Sequence, residues 1–253
     1  MKKNILFSLF LICFATLAVA QSPRKYTDNN NAWLMYFGTH KFANNWSLHL
    51  EAQWRRNQLF SDPQQLLLRT GINYHLNPQA TLTLGYCFVE TYPYGEFAVK
   101  TSFPENRIWE QLQLKNQVGR FEWISRFRLE QRFSNVPVLR ESNYEPGAAV
   151  YTNRFRLLNR FSMPFKGKII ADKSFYLSVY DEFMVDFGKN VGTNIFDQNR
   201  AYAAIGYKIP KVGRLELGYL NQLIFKSDGI KVENNHTLQV GLTCTIDIKK
   251  PAM

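Results

Sequence analysis

Hydrophobic and polar residues alternate along most of this chain with a period of two. In "FEWISRFRLEQRF" (121–133) the odd positions Phe121, Trp123, Phe127, Leu129 and Phe133 are apolar. The even positions Glu122, Arg126, Arg128, Glu130 and Arg132 are ionic, with Ile124 among them. A helix would scatter both sets around its axis, whereas a strand sends successive side chains to opposite faces. The segment is therefore predicted as a strand with one aromatic face and one charged face.

The same pattern recurs with no helical stretch between the repeats. "WSLHLEAQW" (46–54) sets Trp46, Leu48, Leu50, Ala52 and Trp54 against Ser47, His49, Glu51 and Gln53. Segments 65–76, 80–90, 106–117, 151–161, 174–187, 199–209, 214–226 and 236–248 follow suit. "AWLMYFGTHKF" (32–42) is apolar on both faces, so its register is open. Two positions break the alternation. Glu110 falls on the apolar parity, which a bulge near Gln111 would repair. Asp181 falls on the apolar parity with no evident reason.

Length now matters. Most of these patterns run about 11–13 residues, against the usual 5–6 for strands. Tilted strands that cross a bilayer need about 9–11. Short turns at 43–45, 77–79, 118–120 and 210–213 alternate with longer loops at 91–104, 134–149, 188–197 and 227–235. Short periplasmic turns and long extracellular loops are the outer-membrane pattern. In lipid the sheet has to close, because an open edge cannot satisfy its backbone. The expected fold is thus all-β, a single antiparallel transmembrane β-barrel. About eleven patterns are visible, and the even parity of bacterial barrels favours twelve strands, with ten as the fallback.

The chain of 253 residues opens with Lys2 and Lys3, an apolar run, and Ala18-Val19-Ala20 before Gln21. That reads as a cleaved signal peptide over 1–20, leaving 21–253 as the barrel domain. Residues 21–31, "QSPRKYTDNNN", read as a polar leader. The mean hydropathy of -0.29 does not argue against a membrane barrel, whose polar lumen cancels its lipid face in any average. Aromatic residues at 15% suit a lipid-facing wall with aromatic girdles.

The formal charge is +11, and cleavage removes two lysines and no acid. Nucleic acid is a poor partner for arginines that alternate along exported strands. Partners with phosphate or carboxylate groups fit better, including lipopolysaccharide and the surrounding outer-membrane lipid. Cys87 and Cys244 are expected on opposite faces with no disulfide. No Cys/His spacing signals a metal, and no cofactor is expected.

"ENRIWEQL" (105–112), "RFRLEQRF" (126–133), "NRFRLLNRF" (153–161), "DEFMVDFG" (181–188) and the run from "DQNR" to "LELGYLNQ" (197–222) resemble an uncharacterised family of Bacteroidota outer-membrane β-barrels, a domain of unknown function (DUF). The Trp33 to Trp46 hairpin fits too. The resemblance implies a fold and a place, the outer membrane of a Gram-negative bacterium, and carries no catalytic residues. Near the C-terminus Gln239, Gly241, Cys244 and Ile246 partly match the signal read by the barrel assembly machinery, without its terminal aromatic and with "KKPAM" following.

Candidate chemistry is sparse. His40, His49, His75 and His236 have no serine two residues on, which removes the usual strand arrangement of outer-membrane lipid hydrolases. His49 and Glu51 share a face without a nucleophile. The ionic face is more informative. Arg126, Arg128, Glu130, Arg154, Arg156, Glu182, Arg200 and Glu216 are expected to form a charge network in the lumen, with Arg132, Arg160 and Asp186 beside them and Glu182 at its centre. Such a network either braces the wall as paired charges or binds a small anionic solute. Three function classes follow: a structural or narrow transport barrel, a lipid- or lipopolysaccharide-modifying enzyme, and an interaction barrel that engages a partner through its loops.

Overall fold

The computed structural model describes residues 23–248. The signal peptide at 1–20 and the "KKPAM" tail lie outside the described residues. The strands are β1 (Lys25–Lys41), β2 (Trp46–Asn57), β3 (Asp62–His75), β4 (Ala80–Thr91), β5 (Phe103–Val118), β6 (Phe121–Ser134), β7 (Pro137–Arg140), β8 (Asn143–Pro146), β9 (Val150–Pro164), β10 (Phe175–Phe187), β11 (Phe196–Ile209), β12 (Gly213–Phe225) and β13 (Lys231–Asp247). Eleven of them close into one barrel, and β7 and β8 form a separate hairpin in the loop between β6 and β9.

The expected count of twelve is corrected to eleven. With an odd number, the first and last strands run the same way. β1 and β13 accordingly pair in parallel, from Lys25↔Lys231 to Lys41↔Asp247. Every other pair in the barrel is antiparallel. β1 therefore starts at the rim that carries the long loops, and β13 ends at the rim that carries the short turns.

That seam also corrects two assignments. β1 begins inside the supposed polar leader, and β13 begins inside the supposed loop 227–235. Asparagine is a poor strand former on its own. Here "TDNNN" lies in register beside "ENNHT", and the two supply one another's partners. Asn29 Nδ2 donates to Asn235 Oδ1 at 3.0 Å, and Asn234 Nδ2 donates to Asp28 Oδ1 at 2.6 Å.

Alternation sets the two faces. On β6, Glu122, Arg128 and Glu130 are buried in the lumen while Phe121 and Phe127 are exposed on the outer wall. Outward apolar side chains such as Leu84, Ile205, Leu217 and Phe175 stay more than half exposed. No bulge forms at Gln111, because β5 keeps register with both neighbours. Glu110 faces outward and accepts a bond from Gln131 Nε2 at 3.1 Å. Asp181 also faces outward, and Asn199 Nδ2 donates to it at 2.9 Å. It belongs to a row of small or polar outward residues in cross-strand register: Ser125, Asn159, Asp181, Ala201, Asn221, His236 and Asn30. A bulge does occur between β10 and β11, where Met184 faces Gln198 and Val185 faces Phe196. It leaves Asp197 out of the ladder.

The rims are less cleanly divided than expected. A short turn, 58–61, lies at the long-loop rim, and the longer 165–174 connection lies at the other. Cys87 points into the lumen and Cys244 outward, and both are free.

Candidate functional site: the ionic lumen

Side chains from all around the wall meet inside the barrel. Glu130 on β6 is fully buried and accepts from Arg154 Nη2 at 2.6 Å and from Arg156 Nη1 at 2.8 Å. Arg69, Arg107 and Arg128 approach it at 3.5, 3.6 and 3.8 Å. Glu182 on β10 accepts from Arg156 Nη2 at 2.8 Å and Arg126 Nη2 at 2.6 Å, with Arg200 at 3.6 Å. The expectation that Glu182 is the centre is corrected: Glu130 gathers more guanidinium groups. The cause is register, since Glu130 lies directly opposite Arg154 and Arg128 directly opposite Arg156.

The remaining predicted residues sit around these two. Arg160 pairs with Glu216, which also accepts from Tyr176 at 2.8 Å. Arg132 takes Glu105 at 2.6 Å and reaches Asp186 at 3.7 Å. Charge matching at the turn end comes from across the lumen, where Arg214 of β12 bonds Glu122 of β6 at 2.5 and 3.0 Å.

Several participants were missed from sequence. Arg69 donates to both oxygens of Glu51, at 2.5 and 2.6 Å. Arg107 bonds Glu105 at 2.6 Å. Both arginines occupy the inward parity of alternating strands, so the signal was present. Asp197 carries no such signal. Parity sends it outward, but the bulge brings its carboxylate within 2.7 Å of Arg154.

Aromatic side chains complete the circuit. The Trp109 indole lies on paired glycines Gly71 and Gly85, where a Cβ would come within 3.0 and 2.7 Å of the ring. Arg69 and Arg128 lie over that indole at 5.5 and 4.5 Å. Trp33 holds Arg55 and Arg200 at 4.1 and 5.4 Å and donates Nε1 to Gln64 at 2.7 Å. Contacts can thus be followed around the lumen from Arg55 through Gln53, Glu51, Arg69, Glu130, Arg156, Glu182 and Arg200 to Trp33 and back.

A cavity of about 550 Å³ remains within this lining. Its two ends differ. Toward the long loops, inward Asn31, Gln64 and Glu233 are almost wholly buried, and Tyr94 donates to Glu233 at 2.8 Å. Burial and the Glu233 carboxylate push the Tyr94 phenol up, so it stays protonated and keeps donating. Toward the short turns, Thr243, Thr245 and Lys115 are exposed. The chamber is stoppered at one end and open at the other.

The histidines give one surprise. His75 Nε2 is 2.9 Å from Ser47 Oγ, a serine–histidine contact across strands rather than along one. Ser47 is fully buried and also receives Asn73 Nδ2 at 2.9 Å. The other ring nitrogen of His75 faces Thr81 Oγ1, a hydroxyl and not a carboxylate. This contact lacks an exposed nucleophile and an acid to orient the base. His49 contacts Glu51 at 3.3 Å, and that carboxylate is already held by Arg69. No cluster of His, Cys, Asp and Glu among the described residues could hold a metal.

Fold and interior together define a closed β-barrel with an apolar outer wall and a stoppered, arginine-rich lumen. The chain belongs to a family of proteins of unknown function, DUF2490, whose model matches residues 30–234. It is 27% identical over 202 residues to an uncharacterized protein of Methylorubrum extorquens, an alignment covering 76% of this chain and 77% of that one. No solved structure matches it.

Proposed function

We propose that the protein is an integral outer-membrane β-barrel whose ionic lumen braces the wall and blocks general diffusion. One observation carries this reading: large apolar side chains cover the outside of the barrel while arginine and glutamate are buried inside it. A soluble β-barrel has the opposite arrangement, because its own core fills the interior. The resemblance to Bacteroidota outer-membrane barrels and the export signal expected at 1–20 support the same placement. Outer-membrane lipid and lipopolysaccharide would surround the wall, and the barrel assembly machinery would insert it. The lumen fits a structural or narrow transport role better than an open porin, since Glu130 and Glu182 tie together strands two and three apart around the wall.

The test combines fractionation with electrophysiology. The protein should sediment with outer membranes, shift its gel mobility on boiling, and show small or no steady conductance in planar bilayers. A soluble periplasmic product without a boiling shift would end the reading. A large, weakly selective current would end the closed-lumen part of it.

A second reading is favoured by the β7–β8 hairpin. It displays Val138, Leu139 and Tyr144 on the long-loop rim, a surface through which a partner could dock. Copurification from native membranes that is lost on deleting 137–146 would support that role.

A further inference from the structure

Three of the buried guanidinium groups are met by glutamines rather than by carboxylates. Arg55 donates Nε to Gln53 Oε1 at 3.0 Å and Nη1 to Gln65 Oε1 at 2.6 Å. Among the described residues no carboxylate lies within ion-pair distance of it. Arg128 donates Nε and Nη2 to Gln111 Oε1 at 2.9 and 2.6 Å. Its nearest carboxylate oxygen, on Glu130, is 3.8 Å away, and its buried Nη1 has no hydrogen-bond partner. Arg200 donates Nη2 to Gln198 at 3.0 Å and lies 3.6 Å from Glu182, and its buried Nε has no partner.

An amide oxygen satisfies a donor without cancelling its charge. The carboxylates nearby are already committed. Glu130 serves Arg154 and Arg156, and Glu182 serves Arg126 and Arg156. Positive charge is therefore left over on buried guanidinium groups, where an unpaired charge is costly. All three arginines line the one cavity, and they come from three separated strands, β2, β6 and β11.

We propose that this chamber is a binding site for a small phosphate-bearing anion, admitted from the short-turn rim. The proposal rests on the stoppered-lumen reading above, which makes the space a chamber and not a pore. Its volume falls within the roughly 300–1,000 Å³ of small-molecule sites. Guanidinium forks match phosphate oxygens in geometry and charge. Donors on three separate strands of one lining suit a tetrahedral group, whose oxygens diverge, better than a planar carboxylate. At the mouth Lys115 is half exposed and pairs with Glu122 at 3.0 Å, so the binding charge lies deeper, on the three arginines.

The test is calorimetric titration of the detergent-purified full chain with pyrophosphate, with inorganic phosphate, citrate and chloride as comparisons. Pyrophosphate should bind saturably, more tightly at low salt, and at least tenfold more weakly to Arg200→Gln. Gln111→Glu gives a second variant that keeps every arginine and sets a carboxylate beside Arg128. It too should weaken binding at least tenfold while the boiling shift stays intact. Citrate binding without pyrophosphate binding would overturn the phosphate assignment. Absence of saturable pyrophosphate binding to a protein that still shifts on boiling would overturn the site and leave the barrel standing. Binding unaltered in both variants would place any site elsewhere and overturn the proposal. Loss of the boiling shift in wild type would instead strike the membrane reading.

Discussion

Arg55 and Arg200 approach one indole, that of Trp33, although their strands β2 and β11 are separated by β12, β13 and β1. The ring lies on the parallel seam and links the charges on either side of it. Guanidinium–indole contacts contribute about 0.5–2 kcal/mol each, more as water is excluded. Removing the ring would also open a large hole and leave Gln64 without its donor. Trp33→Ala should cost about 3–5 kcal/mol. Urea titration of the protein folded in liposomes checks this, with the outward rim variant Trp46→Ala expected to lose much less.

The facing of β6 can be tested on adjacent residues. Phe127 is on the outer wall and Arg128 in the lumen. A lipid-facing arginine near the bilayer midplane costs about 2–4 kcal/mol, while lumen substitutions mainly tune selectivity. Phe127→Arg should cut the yield of folded, boiling-sensitive protein far more than Arg128→Gln does. The reverse order would place β6 one residue out of register.

Glu130 offers a sharper test than Glu182. Glu130→Ala takes a carboxylate from five guanidinium groups, although Arg154 keeps Asp197 and Arg156 keeps Glu182. Removing one partner of a desolvated pair typically costs about 3–5 kcal/mol, and less if water reaches the group. Glu182→Ala takes one from three, Arg126, Arg156 and Arg200, and should cost less. Both variants should raise ion leak through the lumen. Unfolding midpoints and bilayer recordings together measure the two effects.

The parallel closure predicts the sides on which the chain's described ends emerge. Under the proposed outer-membrane placement, in a Cys87→Ala, Cys244→Ala background, Arg24→Cys should react with an impermeant thiol reagent on intact cells and Ile248→Cys only after the outer membrane is permeabilised. Reaction of both from one side would mean an even number of spanning strands.

What could be read from sequence follows from which side chains alternate. Segment 121–133 was legible because its two faces differ sharply in polarity. The Asn29–Asn235 pairing was not, because both segments look like loops and each becomes a strand only beside the other. Asp197 was illegible because a bulge overrides parity. The inward face of the eight predicted charges could be assigned strand by strand. Which carboxylate gathers the guanidiniums depends on cross-strand register, and period-two patterning does not contain that. The strand number was misjudged by setting a rule of even parity above the eleven patterns in the chain.

The seam between β1 and β13 also has a consequence in time. Each antiparallel pair in the wall joins strands that follow one another, with only the β7–β8 hairpin between β6 and β9, so most of the wall can form by short-range zippering. The last ladder joins segments 206 residues apart and cannot begin until the rest is curved. Contacts of such high separation are intrinsically slow to form, and parallel pairing is slightly weaker per residue than antiparallel. Closure of this seam should be the late step of folding. Until then, the unpaired edges of β1 and β13 are the ones most exposed to a wrong partner.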